Sequence, residues 1–477
     1  MPFRIRALAL LVCCSLLGAC ASVPQTPVAD RLQPQLEALE AWQQQRNGQR
    51  VSLLSDLVAV PALQRLVQRG LANNPGLQQN ALAIDIARQA LVGARGGLLP
   101  QVSAGVGREE IRSGDGQFKS SLDVSWALDI TGRLSDGVNV QQASVVRAVS
   151  VDRYGRDLLA ANIMDIWLQQ VQQARLTAIE QQRLQVLEQN EQTIVERYRK
   201  GLDELTGLET ARSNSASARA TLAQYQENAR ALQRAMAVLL GETAYTAQVS
   251  TDYPSVIVPL AGLPVQDLGR RPDLQQAYLD TRIADLNRDI AYKALLPSFS
   301  LTLALSDSAG ALRESLFTSP AWSLLGQLSA PLFRGGQLRA DVERARLSAE
   351  QRYWAYRGAL LSAVKEVEDA LGQERALTAQ QQHIESALAS AERSYNNYLK
   401  KYREGLVPFL DLLTVQTRTF DLQAQQSQII YQRLSNRITL GLALGLGIGP
   451  DVAASESVAN PLSTTASTGG GTTDDHE

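Results

Sequence analysis

The chain has 477 residues, 46 Lys and Arg against 48 Asp and Glu, a formal net charge of −2, and 45% hydrophobic residues. Near-neutral charge with both signs interspersed leaves no nucleic-acid footprint. The two histidines, His383 and His476, sit near no cysteine or carboxylate cluster with metal spacing. No phosphate-binding glycine loop or nucleophile motif is present, and carboxylates such as Glu366 and Glu368 sit among helical charges as on a solvated face. An enzyme is the reading with least support, and no cofactor or metal is expected.

Taken in order, the chain opens with Arg4 and Arg6 before the apolar run Ala7 to Leu17, the layout of a secretory signal over residues 1–19. That run is too short to span a membrane as a helix. It ends in Leu17-Gly18-Ala19-Cys20, which resembles the bacterial lipobox. The resemblance implies cleavage before Cys20 and acylation of that residue. Ala21 follows in place of an inner-membrane retention aspartate, which directs the anchor to the outer membrane. Cys13 and Cys14 leave with the signal, so no internal disulfide is expected. Residues 20–60 are polar, carry Pro24, Pro27 and Pro34, and read as a lipidated tether, with a short Gln-rich helix near Leu36 to Arg46.

Residues 61–252 form a first unit. Asn74 caps a helix that begins at Pro75 and runs to about Gly97. Two alternating strands follow. The first is Gln101 to about Gly107; the second sets Leu122, Val124, Trp126, Leu128 and Ile130 against Asp123, Ser125 and Asp129. From Leu134 to Lys200 there is no proline, and a helix of that length is on the order of 100 Å long. The chain turns at Gly201 and returns from Asp203 to Leu240. Leu208, Ala211, Ser215, Ala218, Leu222, Tyr225, Ala229, Leu232, Met236 and Leu239 trace the three-four seam of a coiled coil on that return. The helix from Pro75 and the returning helix, stacked end to end, match the length of the uninterrupted one.

A connector at 253–264 leads to a second unit, 265–449, that repeats the first. Pro75 and Pro272, like Pro100 and Pro297, are 197 positions apart; Gly132 and Gly336, like Tyr198 and Tyr402, are 204 apart. The seven extra residues belong between the strands, and a period near two hundred marks a duplicated domain. In the second unit Phe299, Leu301, Leu303 and Leu305 alternate with Ser300, Thr302 and Ser306, and Trp322, Leu324, Leu328 and Leu332 face away from Ser323, Gln327 and Ser329. A helix from Leu338 to Tyr402, a turn at Gly405 and a helix from Pro408 to Leu444 complete it, and the 450–477 tail is too polar to fold. Taken alone, each alternating stretch also suits an edge strand of a soluble sheet.

Four strands cannot close a membrane barrel, which needs about eight or more, and an open sheet in lipid strands its edges at several kcal/mol per group. Lipid contact therefore requires several chains to share one barrel. Trp126, Trp322 and Phe299 then suit an interfacial aromatic belt, although each tryptophan suits a core equally well.

The signal and lipobox, the Asn74-Pro75 and Arg271-Pro272-Asp273-Leu274 helix starts and the Leu-Leu-Pro strand entries carry one resemblance. With Pro331-Leu332-Phe333-Arg334-Gly335-Gly336, and Tyr402-Arg403-Glu404-Gly405 through Leu410-Asp411-Leu412-Leu413, the chain is similar to the TolC-like outer-membrane factors. Within these it resembles the lipoprotein, NodT-type members that serve resistance-nodulation-division pumps. The resemblance implies a mainly α fold with a membrane β-barrel: a homotrimer with a 12-stranded barrel continued by a 12-helix α-barrel. The implied partners are a periplasmic adaptor and an inner-membrane pump, and the implied function is a passive exit duct for drugs or other toxic small molecules. Two rivals stand beside it, a periplasm-spanning coiled-coil scaffold without a pore, and the exit of a protein-secretion system.

The resemblance also places a gate at the turns near Gly201 and Gly405. The matching positions are Leu410 for an apolar ring and Thr414 where the family commonly carries an acid; Asp411, one turn away, is the substitute. Asp203, Glu204 and Glu209 are the acids of the first turn, and threefold repetition of such acids favours cations. The same acids also suit helix N-termini. Tyr198 and Tyr402 read either as braces of the closed turns or as ordinary coiled-coil packing.

Overall fold

The computed structural model describes residues 27–32, 53–58, 60–110, 116–247, 249–254 and 271–448. The signal, Cys20, the Gln-rich segment, most of the connector and the 450–477 tail lie outside the described residues.

Among the described residues seven α-helices and four strands follow one another: α1 (Pro61–Asn73), α2 (Pro75–Gly96), β1 (Gln101–Glu109), β2 (Gln117–Leu128), α3 (Arg133–Arg199), α4 (Leu205–Leu240), α5 (Pro272–Lys293), β3 (Ser298–Ala309), β4 (Ala321–Ser329), α6 (Gln337–Arg403) and α7 (Phe409–Ala443). Helix α3 is 67 residues long and so is α6, its copy 204 positions on. The seven additional residues of the second unit divide between two places. The β3–β4 connection takes four (310–320 against 110–116), and the link from strand to long helix takes three (330–336 against 129–132).

The short helices stack end to end beside the long ones because each junction is tied by a side chain. Asn74 accepts from the N–H of Gly76 at 2.9 Å and Leu77 at 3.3 Å, capping α2, while its amide donates to the carbonyl of Leu239 in α4 at 2.9 Å. In the second unit Arg271 does this work, donating to the carbonyl of Ala443 in α7 and pairing with Asp273 at 2.7 Å and Glu366 at 2.8 Å. Helix packing then runs α2 and α4 against α3, α3 against α5 and α7, and these against α6. Helix α3 is interior; α2, α4 and α6 are edges.

Helix α1 is an element the sequence reading did not set apart from its unit. Pro61 occupies its first turn, and Leu63, Val67 and Gly70 turn inward against α3. Its neighbourhood is the main core, where Leu54, Leu57, Ile163, Met164, Leu168, Met236, Leu240, Leu434 and Ile438 meet.

The strands form one antiparallel sheet in the order β1-β2-β3-β4. Two strand assignments need correction. Strand β2 ends at Leu128, so Ile130 and Asp129 belong to the turn; the Asp129 carboxylate accepts from the N–H of Leu134 at 2.9 Å and Ser135 at 2.7 Å, starting α3. Strand β4 ends at Ser329, which leaves Leu332 outside it and 96% exposed.

Candidate channel wall and periplasmic gate

Register decides which residues share a face of the sheet. Val102, Val124, Leu303 and Leu324 stand in one cross-strand row, Ala104, Leu122, Leu305 and Trp322 in the next, and Leu128, Phe299 and Leu328 in another on the same side. The opposite side carries Gln101, Ser125, Thr302 and Leu325, then Ser103, Asp123, Ala304 and Ser323, and an ion pair of Lys119 with Glu109. One side is therefore apolar over seven positions, about 23 Å along the strand. Trp126 and Phe299 lie toward its helical end and Trp322 toward its loop end. Trp126 is partly buried and donates its indole N–H to the carbonyl of Leu98 at 2.9 Å, whereas Trp322 is 73% exposed.

Among the described residues, the outer edges of β1 and β4 have no partner strand. Every residue of β1 and of β4 is exposed, and each strand is nine residues long. The helical edges repeat the pattern: α6 turns Leu347, Trp354 and Leu361, spaced by sevens, outward, all more than half exposed. Among the described residues no helix is long and apolar enough to cross a membrane.

At the far end of the long helices the two hairpin turns are built alike. Gly201 and Gly405 both adopt φ 73°, the left-handed conformation that glycine takes without strain. The N–H of Leu202 closes on the carbonyl of Arg197 at 2.9 Å, and that of Leu406 on Lys401 at 2.9 Å. The side chains around them differ. In the first turn Arg197 donates to Asp203 at 2.6 Å, and this pair stands beside Tyr402 of the second turn. Burial pushes the Tyr402 hydroxyl pKa up, with Arg197 opposing and Asp203 adding to the shift. The Tyr402 ring meets Phe409 at 6.0 Å between centroids, and Phe409 packs against the small cores of Ile194, Leu208 and Ala211 and of Leu187, Ala218 and Leu413.

Tyr198, the repeat partner of Tyr402, is instead 40% exposed. Leu410 is 61% exposed, Asp411 is exposed in the first turn of α7, and Thr414 beside them donates its hydroxyl back to the carbonyl of Leu410 at 2.9 Å. Glu204 precedes α4 without capping it by a side-chain hydrogen bond, and Glu209 pairs with Arg212 at 3.0 Å. The structure thus pairs Asp203 with Arg197, sets the charges of that pair near Tyr402, and groups Leu410, Asp411 and Thr414 on one exposed turn. Arg197 and Phe409 are the residues sequence reasoning missed. Arg197 sits in an Arg-Tyr-Arg run answered by Lys401-Tyr402-Arg403, but its partners lie across two turns, beyond any helical spacing.

A model of the family described as outer membrane efflux protein matches residues 66–242 and 263–446. The pyoverdine export outer membrane protein OpmQ of Pseudomonas aeruginosa is 28% identical over 91% of this chain and 96% of its own length. The probable outer membrane lipoprotein SilC of Salmonella typhimurium is 26% identical over 80% of this chain and 85% of its own. A solved structure of CusC, described in terms of folding and transmembrane channel formation, superposes with a TM-score of 0.76 over 84% of this chain and 98% of that one, at 24% identity. The fold is thus TolC-like. The chain belongs to the outer membrane efflux protein family, and it is an outer-membrane channel of an efflux system.

Proposed function

We propose that this channel is a homotrimeric, lipid-anchored and passive exit duct, working with a periplasmic adaptor and an inner-membrane pump of the resistance-nodulation-division class. The observation that carries this is the open sheet: two unpaired nine-residue edges beside one continuous apolar face. Unpaired edge groups in lipid cost several kcal/mol each, so β4 of one copy must meet β1 of the next until the ring closes. The exposed Leu347, Trp354 and Leu361 of α6 then pack against α2 and α4 of the neighbour. The chain's part is to enclose a polar path, with transport energy supplied by the pump.

Tether geometry supports acylation at Cys20. The N–H groups of Val28 and Ala29 donate to the buried Asp285 carboxylate at 3.1 and 2.8 Å, and Asp285 is held by Arg288 at 3.2 Å. Asp285 lies 13 positions before β3, about 20 Å along a helix. The seven residues from Cys20 to Pro27 reach about 23–25 Å when extended. An acyl chain on Cys20 is therefore within reach of the membrane at the foot of the barrel.

At the far end the duct narrows at a ring of Leu410 and Asp411, with Phe409 packed against Ile194, Leu208 and Ala211 and the Arg197–Asp203 pair near Tyr402 holding the two hairpins of each copy together. The test is single-channel conductance of detergent-extracted trimers in planar bilayers, wild type against Asp411→Ala. Discrete openings and a changed conductance or weakened cation preference in the variant are expected. Trimers that conduct identically with and without Asp411 would remove it from the constriction. Protein that neither trimerises nor inserts would overturn the duct.

A further inference from the structure

We propose that the β3–β4 connection, residues 310–320, is a membrane-seated collar that rests on the lipid-facing side of the barrel, inserting apolar side chains among the acyl chains of the outer leaflet. The proposal rests on the reading of the apolar face as lipid-facing, and adds to it an interaction surface formed by a loop.

The sheet register places the loop. Ser120 of β2 pairs with Asp307 of β3 in the row next beyond Leu122, Leu305 and Trp322, on the same side as that apolar band. Without a cover, this row would present a hydroxyl and a carboxylate at the top of the lipid-facing side. Both are instead buried, with Ser120 at 1% exposure and Asp307 at 9%. The connection folds down over them. Ser120 donates its hydroxyl to the carbonyl of Ser315, which is 0% exposed, and the N–H of Ser319 donates to Asp307 at 3.0 Å. A single helical turn, closed by the N–H groups of Glu314 and Ser315 on the carbonyl of Ala311 at 3.1 and 3.2 Å, shapes the segment.

This arrangement leaves Leu312, Leu316 and Phe317 exposed, at 44%, 53% and 38%. Phe317 holds φ 58°, the left-handed region that a bulky side chain occupies only under constraint. In water three exposed large apolar residues on a strained loop have nothing to stabilise them. Against lipid they continue the apolar band upward by one further row, about 7 Å along the strand. The polar contacts that hold the loop run to the central strands β2 and β3 and not to the outer edges of β1 and β4, along which copies join. On the same side and end, the Arg108 guanidinium lies 5.4 Å from the centroid of the Phe118 ring, a cation–aromatic pair suited to the headgroup layer above.

The test uses the full-length lipidated trimer with one thiol added at a time, Phe317→Cys, Leu324→Cys or Lys119→Cys, each labelled with bimane and reconstituted in phosphatidylcholine vesicles with or without brominated acyl chains. Leu324 stands in the apolar band and Lys119 on the opposite, polar side. The collar predicts a loss of fluorescence at Phe317→Cys comparable to that at Leu324→Cys, a blue shift at both, and neither effect at Lys119→Cys. Quenching at Leu324→Cys with none at Phe317→Cys would overturn the collar and leave the barrel standing. No quenching at either site would overturn the collar together with the lipid-facing reading. Asp307→Ala, which removes the carboxylate that holds Ser319, is expected to reduce quenching at Phe317→Cys without changing it at Leu324→Cys; an unchanged signal at Phe317→Cys would show that the loop is not held down by this contact.

Discussion

The two units of the chain share a skeleton and fill equivalent slots differently. Helices α3 and α6 have the same length, but α3 buries seventeen residues and α6 ten, because α3 is packed on both sides while α6 is an edge. Glu374 in α6 and Gln170 in α3 are 204 positions apart, and both are buried. Gln170 donates to the carbonyl of Leu232 at 3.1 Å; Glu374 takes Arg433 and Arg437, each at 2.9 Å. Each leaves one oxygen unpartnered. Asp157, buried in α3, corresponds to the exposed Leu361 of α6. Duplication reproduced the backbone, and position in the ring decided which side chains each slot accepted.

The largest test of this contrast is the ionic slot. Glu374→Ala takes the carboxylate away from the buried Arg437 and the half-buried Arg433 and should cost about 3–5 kcal/mol, whereas Gln170→Ala removes a neutral hydrogen bond and should cost about 1–3 kcal/mol. Denaturant unfolding of the purified trimers measures both; equal losses would mean that the two slots are energetically the same.

Next comes Asp157. Burial raises its pKa from 3.8 to about 6, with the N–H of Ile448, at 3.1 Å, and Arg153 opposing. A carboxyl whose folded pKa is raised favours the protonated protein. Its stabilising contribution is full below about pH 4 and is lost as pH rises through 6, for roughly 1–3 kcal/mol. Asp157→Asn should flatten that slope and raise the melting temperature at pH 7 above wild type, without a gain at pH 4. A wild-type slope retained in the variant would assign the titration elsewhere.

The smallest effect on folding is expected at the counterpart position. Leu361→Ala, or Trp354→Ala on the same stripe, should change protomer stability by no more than about 0.5 kcal/mol while weakening the trimer, a split that light scattering and unfolding read separately. A loss of protomer stability with assembly intact would place the stripe inside a fold rather than between copies.

Most of the architecture was legible because its signals are local. Period-two alternation at Phe299 to Leu305, and the absence of proline between Leu134 and Lys200, fixed element type. The turn glycines Gly201 and Gly405 fixed helix ends to within a residue or two. Strand ends were less legible, since Ile130 and Leu332 keep the alternation after the backbone has turned away. Helix α1 carried a readable signal, Pro61 followed by Leu63, Val67 and Gly70, overshadowed by the proline-rich tether before it. The candidate gate was legible only in part. Asp203, Tyr402, Leu410 and Asp411 stand out by type and by resemblance, but the packing of Phe409 joins two hairpins some two hundred residues apart in sequence, and no periodicity encodes that. Tyr198 and Tyr402 look equivalent in sequence and are not in space, because Asp203 has Val407 as its counterpart and only one turn carries the ion pair.

One consequence follows from the equal length of α3 and α6. With Phe409 of the second hairpin packed against Ile194 and Leu208 of the first, both hairpins of a copy end side by side, and a closed ring of copies would bring every hairpin to one plane square to the tube axis. A tube cut flush can meet another hollow partner as two flanges meet, sharing load around the whole rim. It can also turn against that partner without lifting any sector of the seal. An insertion of two residues in α6 alone would raise one set of turns by about 3 Å, and such a ring would leak at alternate positions even with each copy folded as before.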